Sequence, residues 1–532
     1  MRFPLACFSR LLWILAPLAC AACGADHYER QADRDVAEIL GQGTERTLGD
    51  REQTVEKPAL APAEPQPPPD PVDAVPPVPA PPGPDVEILS LAHALEIAIE
   101  TNRDHITRKE SLYLTALGLT STRHVYSPIV AAALSYIFTG SDTGPEVHTP
   151  AISMSLSKLL PTGGNISFGG LAAFNTVGED AFSASANVRL TQPLLRGAGR
   201  EVAYEALTQA ERSLLYAIRD YELYREGFSI DVASRFYDLV QQKQSVDNQR
   251  RNLDGFVFGR KQAEALFSVG RTSELEVLRA RRSELTSQNS LIEAEESYHL
   301  ALDQFRIFLG LPEDHPIEVA AEEPEFVPVS WDVQSAVEVA LKNRLDLLNR
   351  KEQLEDAERG LRIAKNGLLP DLNLELGYTR TGDAAASFIH QDLNDEFYSA
   401  ALSFGLPIDR LVERNAYRSS QFDLSQAMRS YEEFHDSLEV GVRSTFRELE
   451  RRKKSLDIQT QLISDQERNA KIAQLRFEQG NFSNRDVVEA QQALLDARNA
   501  LIREKVDYEI ARLRLLKDLG ILFIDEKGMW KA

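Results

Sequence analysis

Cysteine is nearly absent: the 532-residue chain has three, Cys7, Cys20 and Cys23, all within its first 23 residues. No disulfide framework can hold whatever lies downstream, and no Cys/His set for a structural zinc exists there. Basic residues are outnumbered, 59 Lys and Arg against 81 Asp and Glu, for a net charge of -22. That balance argues against nucleic acid, whose phosphates select basic surfaces. Beyond residue 25 no run is apolar and uncharged long enough for a membrane-spanning helix. The nine histidines are scattered, with no H-E-x-x-H. RGAGRE holds a lone G-x-G with no βαβ pattern after it, and PTGGN at 161–165 lacks the G-K-[ST] of a phosphate loop. The expectation is therefore no enzyme, no catalytic residue, no metal and no cofactor. Energy for any transport must come from a partner.

The first residues, MRFPLACFSRLLWILAPLACAACGAD, carry a basic start, an apolar core from Leu11 to Ala19 and small residues with cysteine after it. This is the pattern of a secretory signal. Ala21 and Ala22 before Cys23, with Gly24 behind it, read as a lipoprotein cleavage site. Residues 1–22 are then the signal peptide and Cys23 the lipidated residue, with Cys20 as the fallback. The alternative is an ordinary signal peptide cut nearby. Residues 23–85 read as an anchored linker: 24–57 are polar and charged, and 58–84 contain thirteen of the 26 prolines. Proline at that density builds no core and favours an extended tether. The folded body is expected to start near Val86.

That body repeats itself. FSVGRTSELEVLRARRSELTSQNSLIEAE from Phe267 aligns without a gap with FEQGNFSNRDVVEAQQALLDARNALIREK from Phe477. Gly270 matches Gly480, Ser273 matches Ser483, Leu285 matches Leu495 and Asn289 matches Asn499, a set that heptad periodicity alone does not produce. ALEIAIETNRD from Ala94 matches AVEVALKNRLD from Ala336, and Pro128 matches Pro370. The two units are 86–312 and 334–521, joined by 313–333 and followed by a tail, 522–532. Each has an opening helix of about 37 residues (roughly 89–124 in the first) that ends before its proline. A β region follows, 128–193 or 370–407, and then a proline-free helical hairpin with its tip near 270 or 480. From the helix lengths, the connection falls at mid-height and the tips lie opposite the β region.

The β segments alternate strictly. AFSASANVRL sets Phe182, Ala184, Ala186, Val188 and Leu190 against Ser183, Ser185, Asn187 and Arg189, and LNLELGY and YSAALSFGL do the same. Such strands form either half of a soluble sandwich or the wall of an outer-membrane barrel. Too few occur per chain to close a pore, so a barrel has to be shared among copies. The first unit is about 28 residues longer between its prolines, and the surplus, ISMSLSK, PTGG and SFGGLAAF, looks like an added hairpin. Six strands are expected per chain, about 129–138, 151–158, 165–174, 181–190, 371–379 and 398–406. Three copies then give eighteen strands instead of twelve. The other possibility is that the hairpin folds over the extracellular mouth.

The ordered set resembles the TolC-like outer-membrane efflux family, over about 86–521. The matching features are the tandem repeat, the helix–proline–strand junctions at Pro128 and Pro370, the strand–proline–helix junctions QPLLRG and LPIDRL, and the tip turns SVGRTS and QGNFSN. The resemblance implies a mostly α fold with a membrane β-barrel: a homotrimer with a long-helix coiled-coil barrel reaching into the periplasm. It implies a passive exit duct in the outer-membrane lipid of a Gram-negative-type bacterium, serving a tripartite efflux or type I secretion system. The partners it implies are a periplasmic adaptor protein and, through it, an inner-membrane pump. The competing reading is a coiled-coil lipoprotein that tethers or scaffolds the envelope. By the same resemblance the tips, Gly270, Arg271, Thr272 and Ser273 with Gly480, Asn481 and Ser483, dock the adaptor. Asp486 and Glu489 form acidic rings at the periplasmic constriction, with Phe477, Phe482 and Glu276 beside them. A solvated helix face is the plainer reading of the two acids. Some relatives have a latching arginine where this chain has Phe482, so any latch is built differently.

Overall fold

The structure is a computed structural model and describes residues 25–48, 86–141, 144–175, 181–312, 314–329, 331–384, 393, 395–479 and 482–530. The helices α1 (Ala25–Leu48), α2 (Leu91–Thr101) and α3 (Arg103–Val125) flank the short strand β1 (Glu87–Leu89). Then come β2 (Ile129–Ser141), β3 (Gly144–Leu159), β4 (Asn165–Asn175) and β5 (Ala181–Pro193). A helical turn, α4 (Arg200–Ala203), leads into α5 (Glu205–Ser268) and its return α6 (Glu274–Leu309). The second repeat runs β6 (Ile317–Val319), α7 (Val333–Asn343), α8 (Leu345–Gly367), β7 (Asp371–Ala384), β8 (Asp395–Gly405), α9 (Leu411–Glu478) and α10 (Asn484–Asp518). At about 1.5 Å per residue the 64 residues of α5 measure roughly 96 Å and the 68 of α9 roughly 102 Å.

The chain forms two compact units. One comprises residues 25–48, Leu112–Ile218 and Leu348–Glu432. It holds one antiparallel sheet in the order β2-β3-β4-β5-β7-β8, so residues 151–174 lie inside a continuous sheet of six strands. The strands run longer than the alternating segments themselves, because residues beyond those segments also pair: Thr139 with Val147 in the β2–β3 hairpin, and Asp383 with Ser183 between β7 and β5.

The expected linker 23–85 is corrected over 25–48 only, because α1 is folded onto this unit. Val36, Ile39, Leu40, Thr44 and Leu48 are buried, a stripe at helical spacing. A Cβ on Gly43 would stand 2.6 Å from Ile218 Cδ1, so the backbone of α1 packs directly on that side chain. The Tyr113 hydroxyl donates to Asp33 at 2.6 Å. Four apolar residues among many charges were too narrow a stripe to read as a helix without its neighbour. The anchor positions Cys20 and Cys23 lie outside the described residues, as does the proline-rich segment.

The other unit comprises the described parts of 50–111, Arg219–Leu347 and 433–532. Its core includes Leu95, Ala98, Phe236, Phe305, Leu309 and Leu513. β1 and β6 pair in parallel inside it, so the connection between repeats folds back on the start of the first. The opening helices are not continuous. Each breaks, at Asn102 and at Arg344, where the backbone turns extended (ψ 125° and 118°). Asn102 caps the following helix through His105 N (2.9 Å) and donates its amide to Phe308 O (2.6 Å). Arg344 instead donates to Asp518 and Asp346. The described part of the tail, 522–530, is packed. Leu522 and Ile524 belong to the core, Ile524 pairs with Trp530, and Arg225 donates to Asp525 O at 2.7 Å.

Candidate functional site

Two places concentrate the features that transport needs: the helical tips and the sheet. At the first tip α5 ends in a Schellman turn. Arg271 N donates to Leu266 O and Gly270 N to Phe267 O, both at 2.9 Å, with Gly270 left-handed at φ +70°. Ser273 then caps α6, accepting from Glu276 N at 3.4 Å. Thr272 lies between them in the same turn. Glu276 accepts from Arg279 at 2.6 Å, one helical turn on, so the first repeat neutralises its own acid.

The second tip differs chemically. Gly480 and Asn481 lie outside the described residues. Ser483 donates its N–H (2.8 Å) and its hydroxyl (2.7 Å) to the Asp486 carboxylate at the start of α10. The Ser483 hydroxyl, and then its amide, hold that carboxyl below the usual range. Asp486 therefore has a capping role of its own. Glu489, three residues on, is exposed on the same helix. The Arg476 guanidinium lies over the Phe482 ring, 5.2 Å from its centroid. Phe477 is 6% exposed against 46% for its repeat partner Phe267. The Phe477 ring is thus enclosed within its own chain.

The same asymmetry runs along the returning helices. On α10, Val487, Ala490 and Leu495 are buried, and Asn499 accepts from Asn248 at 2.9 Å. On α6, Leu278, Leu285 and Ile292 are all more than half exposed, one heptad apart. Ile458, Ile472 and Leu475 on α9 are likewise exposed. The single chain leaves these coiled-coil seams unfilled. Alternation could not separate filled from unfilled seams, because both have the same period.

In the sheet, even-numbered side chains share one face. One row across it reads Val130, Leu156, Phe168, Val188, Tyr378 and Tyr398. The other face carries Ser153, Ser155, Ser157, Ser185 and Asn187, with Ile129, Ile137, Leu171 and Phe397 among its apolar exceptions and Glu375 and Asp395 among its charges. Val130, Met154, Leu402 and Phe404 are more than 60% exposed, so among the described residues no second layer covers the apolar face, and the soluble-sandwich reading falls. On β3 that face runs from Lys158 to His148, which accepts or donates a 2.7 Å bond with the Tyr136 hydroxyl. Ten residues at about 3.3 Å, tilted by roughly 40°, span about 25 Å, the height of a membrane barrel's apolar band. Arg380 and Glu396, paired at 3.0 Å, end the apolar run on β7 and β8.

Comparison with known proteins agrees with this geometry. The profile of the family described as "Outer membrane efflux protein" matches residues 150–311 and 336–520. The chain is 23% identical over 356 residues to the outer membrane protein TolC of Escherichia coli (strain K12), covering 65% of this chain and 71% of TolC. It is 23% identical over 399 residues to the pyoverdine export outer membrane protein OpmQ of Pseudomonas aeruginosa, covering 73% and 80%. Among solved structures, the outer membrane protein VceC of Vibrio cholerae superposes with a TM-score of 0.60 at 16% identity, covering 81% of this chain and 96% of VceC.

Proposed function

This chain belongs to the family of outer membrane efflux proteins, and on that premise we propose that three copies of it form the exit duct of a tripartite efflux or type I secretion system. It is an efflux channel and not an enzyme. The observation that carries the assembly is the open sheet. β2 and β8 are edge strands with no partner among the described residues, and both faces are exposed. An unpaired edge is not tolerated in lipid, so the sheet has to close. Six alternating directions let β8 of one copy meet β2 of the next antiparallel, and three copies close eighteen strands. The unfilled seams of α6 and α9 also favour assembly, since a neighbouring copy brings the complementary seam. The apolar face then meets outer-membrane lipid, and the helices extend into the periplasm. The tips, 270–273 and 480–483, dock a periplasmic adaptor, and through it an inner-membrane pump that supplies the energy.

In three copies Asp486 and Glu489 would each form a ring of three carboxylates, a focused field that concentrates cations at the narrow end. Phe482, clasped by Arg476, sits beside it as the steric element. Planar-bilayer recording of the purified protein tests both parts. The expected result is a cation-selective conductance that a trivalent cation blocks from the periplasmic side. Asp486→Asn with Glu489→Gln should weaken that block roughly tenfold, whereas Glu276→Gln should change little, because Arg279 already neutralises Glu276. No conductance in either protein would favour an envelope scaffold. Unchanged block would leave the acids a solvated helix face.

Cys23 is proposed as the lipid anchor, two residues ahead of the docked helix α1. Palmitate labelling should disappear in Cys23→Ser. Labelling lost instead in Cys20→Ser would move the anchor there, and labelling lost in neither would remove it.

A further inference from the structure

The β3–β4 hairpin is placed unlike an ordinary insertion. It sits in the interior of the sheet, between β2 and β5, and not at an edge or beyond the strand ends. The pairing carries each row through it without a shift. Val130 faces Leu156, Leu156 faces Phe168 and Phe168 faces Val188. Two strands reverse direction twice, so β2 and β5 stay antiparallel with or without them, in the same register and with the same faces. The turn that joins the hairpin is built into the strand–helix junction below. Gly163 is left-handed at φ +90°, and a Cβ there would stand 2.3 Å from Gly197 O. The Thr162 hydroxyl donates to Gln192 at 2.6 Å, and Gly199 N donates to Thr162 O at 3.1 Å. The hairpin is thus a full member of the wall, and among the described residues the second repeat, with β7 and β8, has no equivalent.

We infer that this hairpin sets the bore of the outer-membrane exit and fits it to hydrophilic cargo of kilodalton size. The inference rests on the trimeric barrel proposed above. With strands about 4.8 Å apart and tilted by roughly 40°, twelve strands close at about 24 Å across the backbone and eighteen at about 36 Å. The lining agrees with passage more than with capture. Ser153, Ser155 and Ser157 face Leu171, Gly169 and Ser167, then Ser185, Asn187 and Arg189, small and mostly neutral groups. Charge on that face of the hairpin region is confined to Arg189, so this part of the wall retains neither anions nor cations strongly, and the acids Glu375 and Asp395 lie on β7 and β8. A duct for small apolar solutes needs neither this width nor this wall.

Polymer exclusion tests the bore. Polyethylene glycols of graded size are added from the extracellular side of bilayers containing the full chain or a variant lacking residues 144–175. The deletion leaves 142–143 and 176–180 as the turn between β2 and β5. The radius at which polymers cease to reduce conductance should fall by about one third in the deletion variant. An unchanged cut-off with intact trimers overturns the inference and leaves the duct standing, whereas a full chain that is not trimeric overturns both. Should the deletion variant fail to insert, labelling of the intact chain decides. The native cysteines all lie within the first 23 residues, so Ser155→Cys adds one cysteine to the wall. A wide bore lets large polyethylene-glycol maleimides reach it from outside. Reaction with small maleimides only would overturn the inference.

Discussion

Gly310→Ala is expected to destabilise the protein by about 3 kcal/mol or more, while Gly270→Ala costs only about 1 kcal/mol. Both glycines end a long helix in the left-handed region, at φ +82° and +70°. Both substitutions therefore carry the Cβ penalty of that region. They differ in what the new atom meets. At Gly270 nothing lies within 4 Å, whereas at Gly310 a Cβ would stand 2.2 Å from Thr101 O and 2.8 Å from Thr101 C. Backbone cannot swing aside as a flexible side chain can. The break between α2 and α3 would have to move, and with it the bond from Asn102 to Phe308 O. Gly520 repeats the arrangement at φ +67°, with Asn343 C and O both at 2.9 Å, and should behave like Gly310. Denaturant unfolding of the three variants in detergent measures this. Equal losses at 270 and 310 would show that the close approach is relieved cheaply.

Acid should weaken the unit that holds His105. Its ring is 3% exposed and stacks near Phe228 and Tyr224, with centroids at 5.1 and 6.1 Å. Burial, with smaller contributions from the Arg225 and Lys109 cations, lowers its pKa from 6.5 to about 4. The folded state thus keeps His105 neutral where the unfolded chain already binds a proton. Stability is fully present above pH 6.5 and declines as pH falls towards 4, by about 3 kcal/mol for this group. His105→Phe keeps an aromatic ring in the stack and removes the titration. Its stability should be flatter than the parent's between pH 6.5 and 4, read by denaturant midpoints across that range. Parallel pH profiles would assign the acid sensitivity to other groups.

The tandem repeat, the alternating strands and the glycine turns were legible in the residues because each is a local requirement. A two-residue period sets the faces of a strand whatever it packs against. A left-handed helix end asks for glycine at 270, 310 and 520 in any context. The added hairpin was legible for the same reason, since its alternation matches that of its neighbours.

Tertiary structure alone decided which of two equivalent positions is filled. Phe267 and Phe477, or Leu285 and Leu495, share a period and a place in the repeat, yet one of each pair is enclosed and the other exposed. Burial depends on the neighbouring helix, which lies far away in sequence. The docking of α1 through Gly43 and the packing of Leu522 and Ile524 into the core are likewise contacts between distant segments. So is the interior position of the hairpin, because a strand's alternation specifies its two faces but not the strand that pairs with its edge.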